Sequence, residues 1–429
     1  MMAHAQKLTE MSASALRERR EALTKAYAAY KAQGLSLDMS RGKPGAAQLD
    51  LTLPMLDCVT AREGYLSEGG IDGRNYGIVD GLPEAKALFA AILHMEPAQV
   101  IVGGNSSLNM MFDYIAQAYS RGVCGHRPWC EQGEVKFLCP VPGYDRHFAV
   151  TEHFGIRLIP VPMTAAGPDM DEVEALVQDP LVKGMWCVPM YSNPEGITYS
   201  DETVRRLAAL RPAAPDFRVM WDNAYCLHHL GEEGDVLLDI YPELVKHGNE
   251  DMVVMFTSTS KISFPGAGVA AMAASPANVA DVKRRMTIQT IGHDKLNMLR
   301  HVRYFKDIEG IRAHMKQHAA VLRPRFEAVL TALERELGDR GIATWHTPRG
   351  GYFVSVDLME GCARRTVELL GQAGVAMTPA GATFPYGKDP RDSNIRIAPS
   401  YPSVEELNVA MAMFCVCAEL ACIERLLKG

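Results

Sequence analysis

Lys261, Asp222 and Tyr225 carry the chemistry legible in this chain, and each follows an apolar run. Lys261 lies in DMVVMFTSTSKISFPGAG, just after Met252–Phe256, while Asp222 and Tyr225 lie in VMWDNAY, at the end of another such run. A lysine amine bonds covalently to an aldehyde, a carboxylate keeps a ring nitrogen protonated, and a phenol steadies a neighbouring oxyanion. Together they predict a small-molecule partner that is at once an aldehyde and a pyridine. Upstream, GNSS brings Ser106 and Ser107 to the start of a predicted helix, where hydroxyls and backbone N–H groups suit an anion.

These residues need a scaffold that brings distant strand ends together. A helix is predicted from about Ser12 to Gln33, followed by a turn or extended loop in LSLDMSRGKPG. From about residue 83 to 309, short apolar runs alternate with helical stretches. Val100–Val102 enters GNSS before the helix Leu108–Tyr119, Lys136–Cys139 meets PVPGYDRH, and Met185–Met190 meets YSNPEG. Arg218–Trp221 and Met252–Phe256 end at the acidic and lysine motifs, and Val269–Ala273 returns beneath the latter. The alternation predicts an α/β fold with a mostly parallel sheet and helices on both faces. After Asp307 come a long helix to about Leu337, GGYFVSVDLM, a helix near Arg364–Ala373, NIRIAPS and a final apolar helix, together a smaller α/β domain. The expected division is an N-terminal arm with part of the small domain (1–50), a large cofactor domain (51–309) and a C-terminal small domain (310–429).

Composition narrows the function classes. With 429 residues, 48% of them hydrophobic, the chain can bury a large core with a smaller companion. Its 44 Lys plus Arg against 51 Asp plus Glu give a net charge of −7, and without a long basic block nothing supports nucleic-acid binding. Ten cysteines show neither a staple pattern nor metal-ligand spacing, so reduced thiols and no metal are expected. The start MMAHAQKLTE lacks an apolar secretion segment, and no run of about 18 uninterrupted apolar residues marks a membrane span. A cytoplasmic protein is the expectation.

The ordered motifs SRGKPG, GNSS, PVPGYDRH, YSNPEG, DNAY and STSKISFPGAG resemble those of fold-type I pyridoxal-phosphate aminotransferases, in the aspartate aminotransferase-like branch, from about Ser40 to Ser400. The resemblance implies pyridoxal 5'-phosphate as cofactor. Lys261 would hold it covalently and move the Cα proton. Asp222 would pair with the pyridine nitrogen, Tyr225 and Asn193 would contact the phenolic oxygen, and Tyr144 would stack on the ring. Ser258 would join Ser106 and Ser107 at the phosphate, although Val269 stands where many relatives supply a phosphate-binding arginine. Tyr76 in GRNYG is similar to the tyrosine that reaches the neighbouring subunit's phosphate, implying a homodimer with shared sites. Arg396 in NIRIAPS would clamp the substrate α-carboxylate, with Gly42 closing beside it and Asn193 helping to orient it.

No arginine carries over for a distal carboxylate. Lys295 in IGHDKLNM is a candidate by its separation from Lys261, with a solvated helix lysine as the alternative; His293 is a substrate contact or a helix cap. Amino acids and 2-oxo acids are the implied substrates, with L-aspartate and 2-oxoglutarate leading in a ping-pong cycle. An aminotransferase for aromatic amino acids or 2-aminoadipate, or a lyase or decarboxylase using the same cofactor, are the alternatives. A ligand-sensing regulator is disfavoured because SRGKPG begins within about forty residues of the start, leaving no space for a preceding DNA-binding domain.

Overall fold

The computed structural model describes residues 6–428. Helix α1 (Ala13–Lys31), strand β1 (Leu37–Asp38) and helix α2 (Ala46–Asp50) precede α3 (Pro83–Leu93) and β2 (Val100–Val102). Next come α4 (Ser107–Arg121), β3 (Lys136–Val141), α5 (Asp145–His153), β4 (Arg157–Thr164), β5 (Gly167–Pro168), α6 (Met170–Leu176) and β6 (Val182–Cys187). They lead to α7 (Asp201–Ala208), β7 (Arg218–Asp222), α8 (Ile240–His247), β8 (Val253–Ser258), β9 (Ala270–Ala274), α9 (Pro276–Gln289) and α10 (Lys295–Phe305). The remainder is α11 (Ile308–Leu337), β10 (Ala343–Trp345), β11 (Val354–Leu358), α12 (Ala363–Gln372), β12 (Val375–Ala376), β13 (Asn394–Ile397) and α13 (Val404–Leu426).

The large sheet has the order β2-β9-β8-β7-β6-β3-β4-β5, with β8, β7, β6, β3 and β4 mutually parallel and β9 antiparallel to both neighbours. Its inner strands read as continuous apolar runs because helices cover both faces, and every residue of β6 and β7 is buried. Polarity appears where strands end: Asp222 closes β7 and Ser258 closes β8, neighbours in the same sheet. Such carboxyl ends are where open α/β sheets hold ligands.

Two expected strands shift. The run Met185–Met190 is a strand only to Cys187, because Pro189 has no N–H to extend the ladder with β7. The return strand begins at Ala270; the Val269 carbonyl accepts from Thr259 N at 2.8 Å, while its N–H donates to Thr259 Oγ1 at 2.9 Å.

A second cluster of buried side chains combines the N-terminal and C-terminal parts of the chain. Leu16 and Leu23 of α1 share it with Phe326 and Leu333 of α11 and with Met411 and Phe414 of α13. Strand β1 pairs in parallel with β12, and Arg19 binds the buried Glu419 through two bonds of 2.8 and 2.7 Å. β10, β11 and β13 form an antiparallel sheet in which Ser355 lies opposite Arg396. Helix α11 joins the two regions: Ile311 and Met315 pack with the large sheet, whereas Leu322 onward packs with α13. By length and composition α13 matches a membrane span, but 72% of its most apolar window is buried inside the protein. A reciprocal cap between Ser403 and Glu406 fixes its start, an arrangement of the kind that contributes about 1 kcal/mol.

Candidate functional site

The loops after β2, β3, β6, β7 and β8 surround one cavity. Ser106, Ser107, Tyr144, Asn193, Asp222, Tyr225, Ser258 and Lys261 all line it, so residues spread over the chain converge at the strand ends. A second cavity shares Tyr144, Asn193, Tyr225 and Lys261 with the first, and extends to Arg396, Phe353, Thr378 and the segment Ser40–Lys43.

Lys261 lies in the turn after β8, its ammonium 5.0 Å from the centre of the Tyr225 ring and 5.9 Å from that of Tyr352. Burial pushes its amine below the ordinary 10.5; Asp222 opposes the shift and Arg396 adds to it. Asp222 is buried, and its Oδ2 accepts from His147 Nε2 at 3.0 Å. Its Oδ1 is also buried but has no partner among the described residues. Burial pushes the Tyr225 phenol well above its usual range, reinforced by Tyr144 and Asp222, so it remains a donor. Tyr144 is pushed up to about 12 by burial, then by Asp222 and Asp145.

Arg396 is buried on β13. Its Nη1 donates to Asp145 Oδ1 at 3.0 Å and Asn193 Oδ1 at 3.2 Å, its Nη2 reaches Thr378 Oγ1 at 3.4 Å, and its buried Nε has no partner among the described residues. The guanidinium lies 4.9 Å from the centre of the Phe353 ring. A Cβ on Gly42 would lie 2.4 Å from Phe353 Cζ, so glycine lets the backbone close against the ring that supports Arg396.

At the other end, Ser107 opens α4 and Ser106 is its N-cap residue, yet the Ser106 side chain makes no capping bond. Ser258 Oγ donates to Ser260 Oγ at 3.1 Å, and Ser260 Oγ to the Asn105 carbonyl at 3.3 Å. Val269 is 2% exposed within the core and offers no charge.

Several placements depart from sequence expectation. Lys295 is not solvated and lines neither cavity: it is 4% exposed and its Nζ donates to the Gly77 carbonyl at 3.1 Å. Asp294, not His293, caps α10 by accepting from Asn297 N at 3.0 Å. His293 lines a separate cavity with Gly104 and Asp113. Tyr76, expected to reach a neighbouring subunit's phosphate, is 82% exposed and outside both cavities of its own chain, a placement that does not conflict with that expectation. The cations that share a cavity with Arg396 are Arg41, Lys43 and Arg146. Sequence reasoning also missed His147, Ser260 and Phe353. The His147 signal was its place in PVPGYDRH, one helical turn after Tyr144.

This donor set fits pyridoxal phosphate. A protonated pyridine nitrogen supplies the donor that buried Asp222 Oδ1 lacks, Lys261 supplies the amine for the aldehyde, and serine hydroxyls at the start of α4 suit the phosphate.

Known proteins agree. Residues 11–429 match the family described as aspartate amino-transferase. An aspartate aminotransferase of Corynebacterium glutamicum is 45% identical over 405 residues, 94% of each chain. The crystal structure of an aspartate transaminase from that organism has a TM-score of 0.95 at 44% identity, covering 98% of this chain and 99% of that one. The fold alone is shared with α-aminoadipate aminotransferase of Thermus thermophilus, solved in complex with N-(5'-phosphopyridoxyl)-L-leucine: TM-score 0.71, 21% identity, 93% and 94% coverage. The chain thus belongs to the aspartate amino-transferase family and is a pyridoxal-phosphate-dependent aminotransferase of fold type I.

Proposed function

We propose that this aminotransferase moves the amino group of L-aspartate to 2-oxoglutarate, giving oxaloacetate and L-glutamate. The observation that carries the substrate choice is that Arg41, Lys43 and Arg146 share with Arg396 one cavity reaching Lys261. A dicarboxylic acid needs a cation at each end, and these three replace Lys295 as the partners of the distal carboxylate. The 45% identity to the Corynebacterium glutamicum aspartate aminotransferase supports the same choice.

When bound, pyridoxal phosphate supplies an aldehyde that takes up the amino group and a ring that accepts the electron pair released at the substrate Cα. Lys261 is the residue that would hold the cofactor aldehyde. Its amine, whose uncharged form burial favours, would serve as the base for the substrate Cα proton once released. Asp222, held by His147, would keep the ring nitrogen protonated. Tyr225 and Asn193 would serve the phenolic oxygen, and Tyr144 would cover the ring face and exclude water. Ser106, Ser107, Ser258 and Ser260 line the same cavity and would hold the phosphate with neutral donors in place of the missing arginine at position 269. Arg396 takes the α-carboxylate on its Nε edge, since Asp145 and Asn193 already occupy Nη1. Tyr76, exposed and outside its own site, serves the phosphate of a second copy in a homodimer.

The test is the absorbance of the purified holoprotein as L-aspartate is added alone and 2-oxoglutarate afterwards, with oxaloacetate and glutamate quantified. Loss and recovery of the cofactor signal with equal product yields is expected. A cycle with another donor but none with aspartate would reject the substrate pair and keep the aminotransferase chemistry.

A further inference from the structure

Beneath Lys261 the protein buries polar side chains that the chemistry above does not use. Gln48, His314, His318 and Tyr352 are each at most 4% exposed. Gln48 Oε1 accepts from Gly45 N at 3.2 Å, just beyond the segment Ser40–Lys43 that lines the substrate cavity. Gln48 Nε2 donates to the Tyr352 hydroxyl at 2.8 Å and lies 3.1 Å from His318 Nδ1. His318 Nε2 lies 3.0 Å from His314 Nε2, which lies 2.9 Å from the Ile262 carbonyl. The Tyr352 hydroxyl also faces the Lys261 carbonyl at 3.5 Å.

The opposite end reaches the carboxylate clamp. Thr378 Oγ1 meets Arg396 Nη2 at 3.4 Å and donates to the Ser40 carbonyl at 2.8 Å, while Ser400 Oγ donates to the Lys43 carbonyl at 3.0 Å. A polar path therefore runs from Arg396 and the 40–45 segment to the carbonyls of Lys261 and Ile262.

Donor capacity gives this path a direction. The Gln48 amide nitrogen can only donate, so His318 Nδ1 accepts and the neutral ring carries its proton on Nε2, directed at His314 Nε2 and the Ile262 carbonyl; His314 Nε2 is then an acceptor, and it is His318 that donates toward Ile262. Burial pushes His318 down to about 3 and His314 in the same direction, which keeps both rings neutral. Apolar side chains of similar shape would fill this space without the cost of desolvating polar groups, so the polar set yields orientation rather than packing.

We infer that Gln48, His318 and His314 are positioning residues that couple occupation of the substrate cavity to the setting of the Lys261 backbone, so that the amine meets Cα when the acid is bound. The inference rests on the roles proposed above for Lys261 and Arg396.

The test is hydrogen–deuterium exchange of the holoprotein with and without succinate, a dicarboxylate with no amino group to transfer. In the wild type, succinate should slow exchange in peptides covering both 40–48 and 259–264. In Gln48→Met it should still protect 40–48 but leave 259–264 unchanged. Tyr352→Phe, which removes one hydroxyl, should reduce the 259–264 response and covers a failure of Gln48→Met to fold. Single-turnover conversion of an α-deuterated donor adds a kinetic readout: the isotope effect should rise in Gln48→Met with succinate affinity unchanged. Equal protection of 259–264 in wild type and variants, or weakened succinate binding with an unchanged isotope effect, would overturn the coupling. No protection of 40–48 in the wild type would instead overturn the reading of the cavity as a dicarboxylate site.

Discussion

His147 Nε2 lies 3.0 Å from Asp222 Oδ2, and its imidazole stacks on Trp186 with ring centroids 4.4 Å apart and planes inclined by 11°. The bond occupies one oxygen of the carboxylate and leaves Oδ1 for the cofactor. His147→Phe keeps an aromatic ring and removes the donor. A hydrogen bond to a charged group contributes about 1.5–3 kcal/mol, so kcat should fall about 10–100-fold at unchanged cofactor content. Loss of cofactor with kcat per bound cofactor preserved would show that His147 serves retention instead.

Arg396→Gln leaves Asp145 and Asn193 in place but removes the cation they orient. Truncating one member of a buried charge pair costs about 2–5 kcal/mol. The value of kcat/KM for the amino donor and for the oxo acid should therefore drop together, by about 30-fold or more. Steady-state kinetics on both substrates checks this, and a loss confined to one of them would contradict a shared carboxylate clamp.

Gly42→Ala drives a methyl group into the Phe353 ring, where the added Cβ would lie 2.4 Å from Cζ. Overpacking of this kind costs about 1–3 kcal/mol, felt here as weaker succinate binding because Phe353 supports Arg396. Phe353→Leu in the same chain should recover part of the loss, with a coupling of about 0.5–3 kcal/mol in a double-mutant cycle. Additive effects would separate Gly42 from Phe353.

Glu195, two residues after Asn193, has its carboxyl pushed up to about 7 by burial, with Ser355 opposing and Asp357 adding. The folded value exceeds the ordinary 4.5, so the folded state holds the proton more tightly. That stabilisation is complete below about 4.5 and is lost as pH rises through about 7. At about 1.4 kcal/mol per unit the loss is roughly 3 kcal/mol. Glu195→Gln lacks this titration, so its Tm relative to wild type should rise between about pH 5 and pH 8. A calorimetric difference that stays flat with pH would refute the assignment.

Much of the fold was legible because the inner strands are buried on both faces and read as unbroken apolar runs ending in polar residues. That pattern located Asp222 and Lys261 at strand ends, the family resemblance added Ser258, and the structure gathers all three in one cavity. Strand β4 escaped notice because RLIPVPMT carries Pro160 and Pro162 and alternates in burial, as befits a strand flanked on one side only by the short β5. Lys295 was misplaced because spacing from Lys261 says nothing about direction: β9 and α9 intervene and carry the chain to the Gly77 loop. His147, Phe353 and Gln48 act through residues far off in sequence, and such partners emerge only when the strands are assembled.

Helix α11 runs from Ile308 to Leu337 with Pro324 inside it, anchored at its start among large-sheet residues and at its far end among the residues around α13. From Met315 to Leu337 it extends roughly 33 Å at 1.5 Å per residue. It is in effect a lever arm: a tilt of 5° about Met315 would swing the far end by about 3 Å. His314 and His318 sit beside that fulcrum, where the same rotation moves them by only a fraction of an ångström. Large excursions of the Arg396-bearing region can thus accompany fine adjustment at Lys261, a gearing ratio set by the length of one helix.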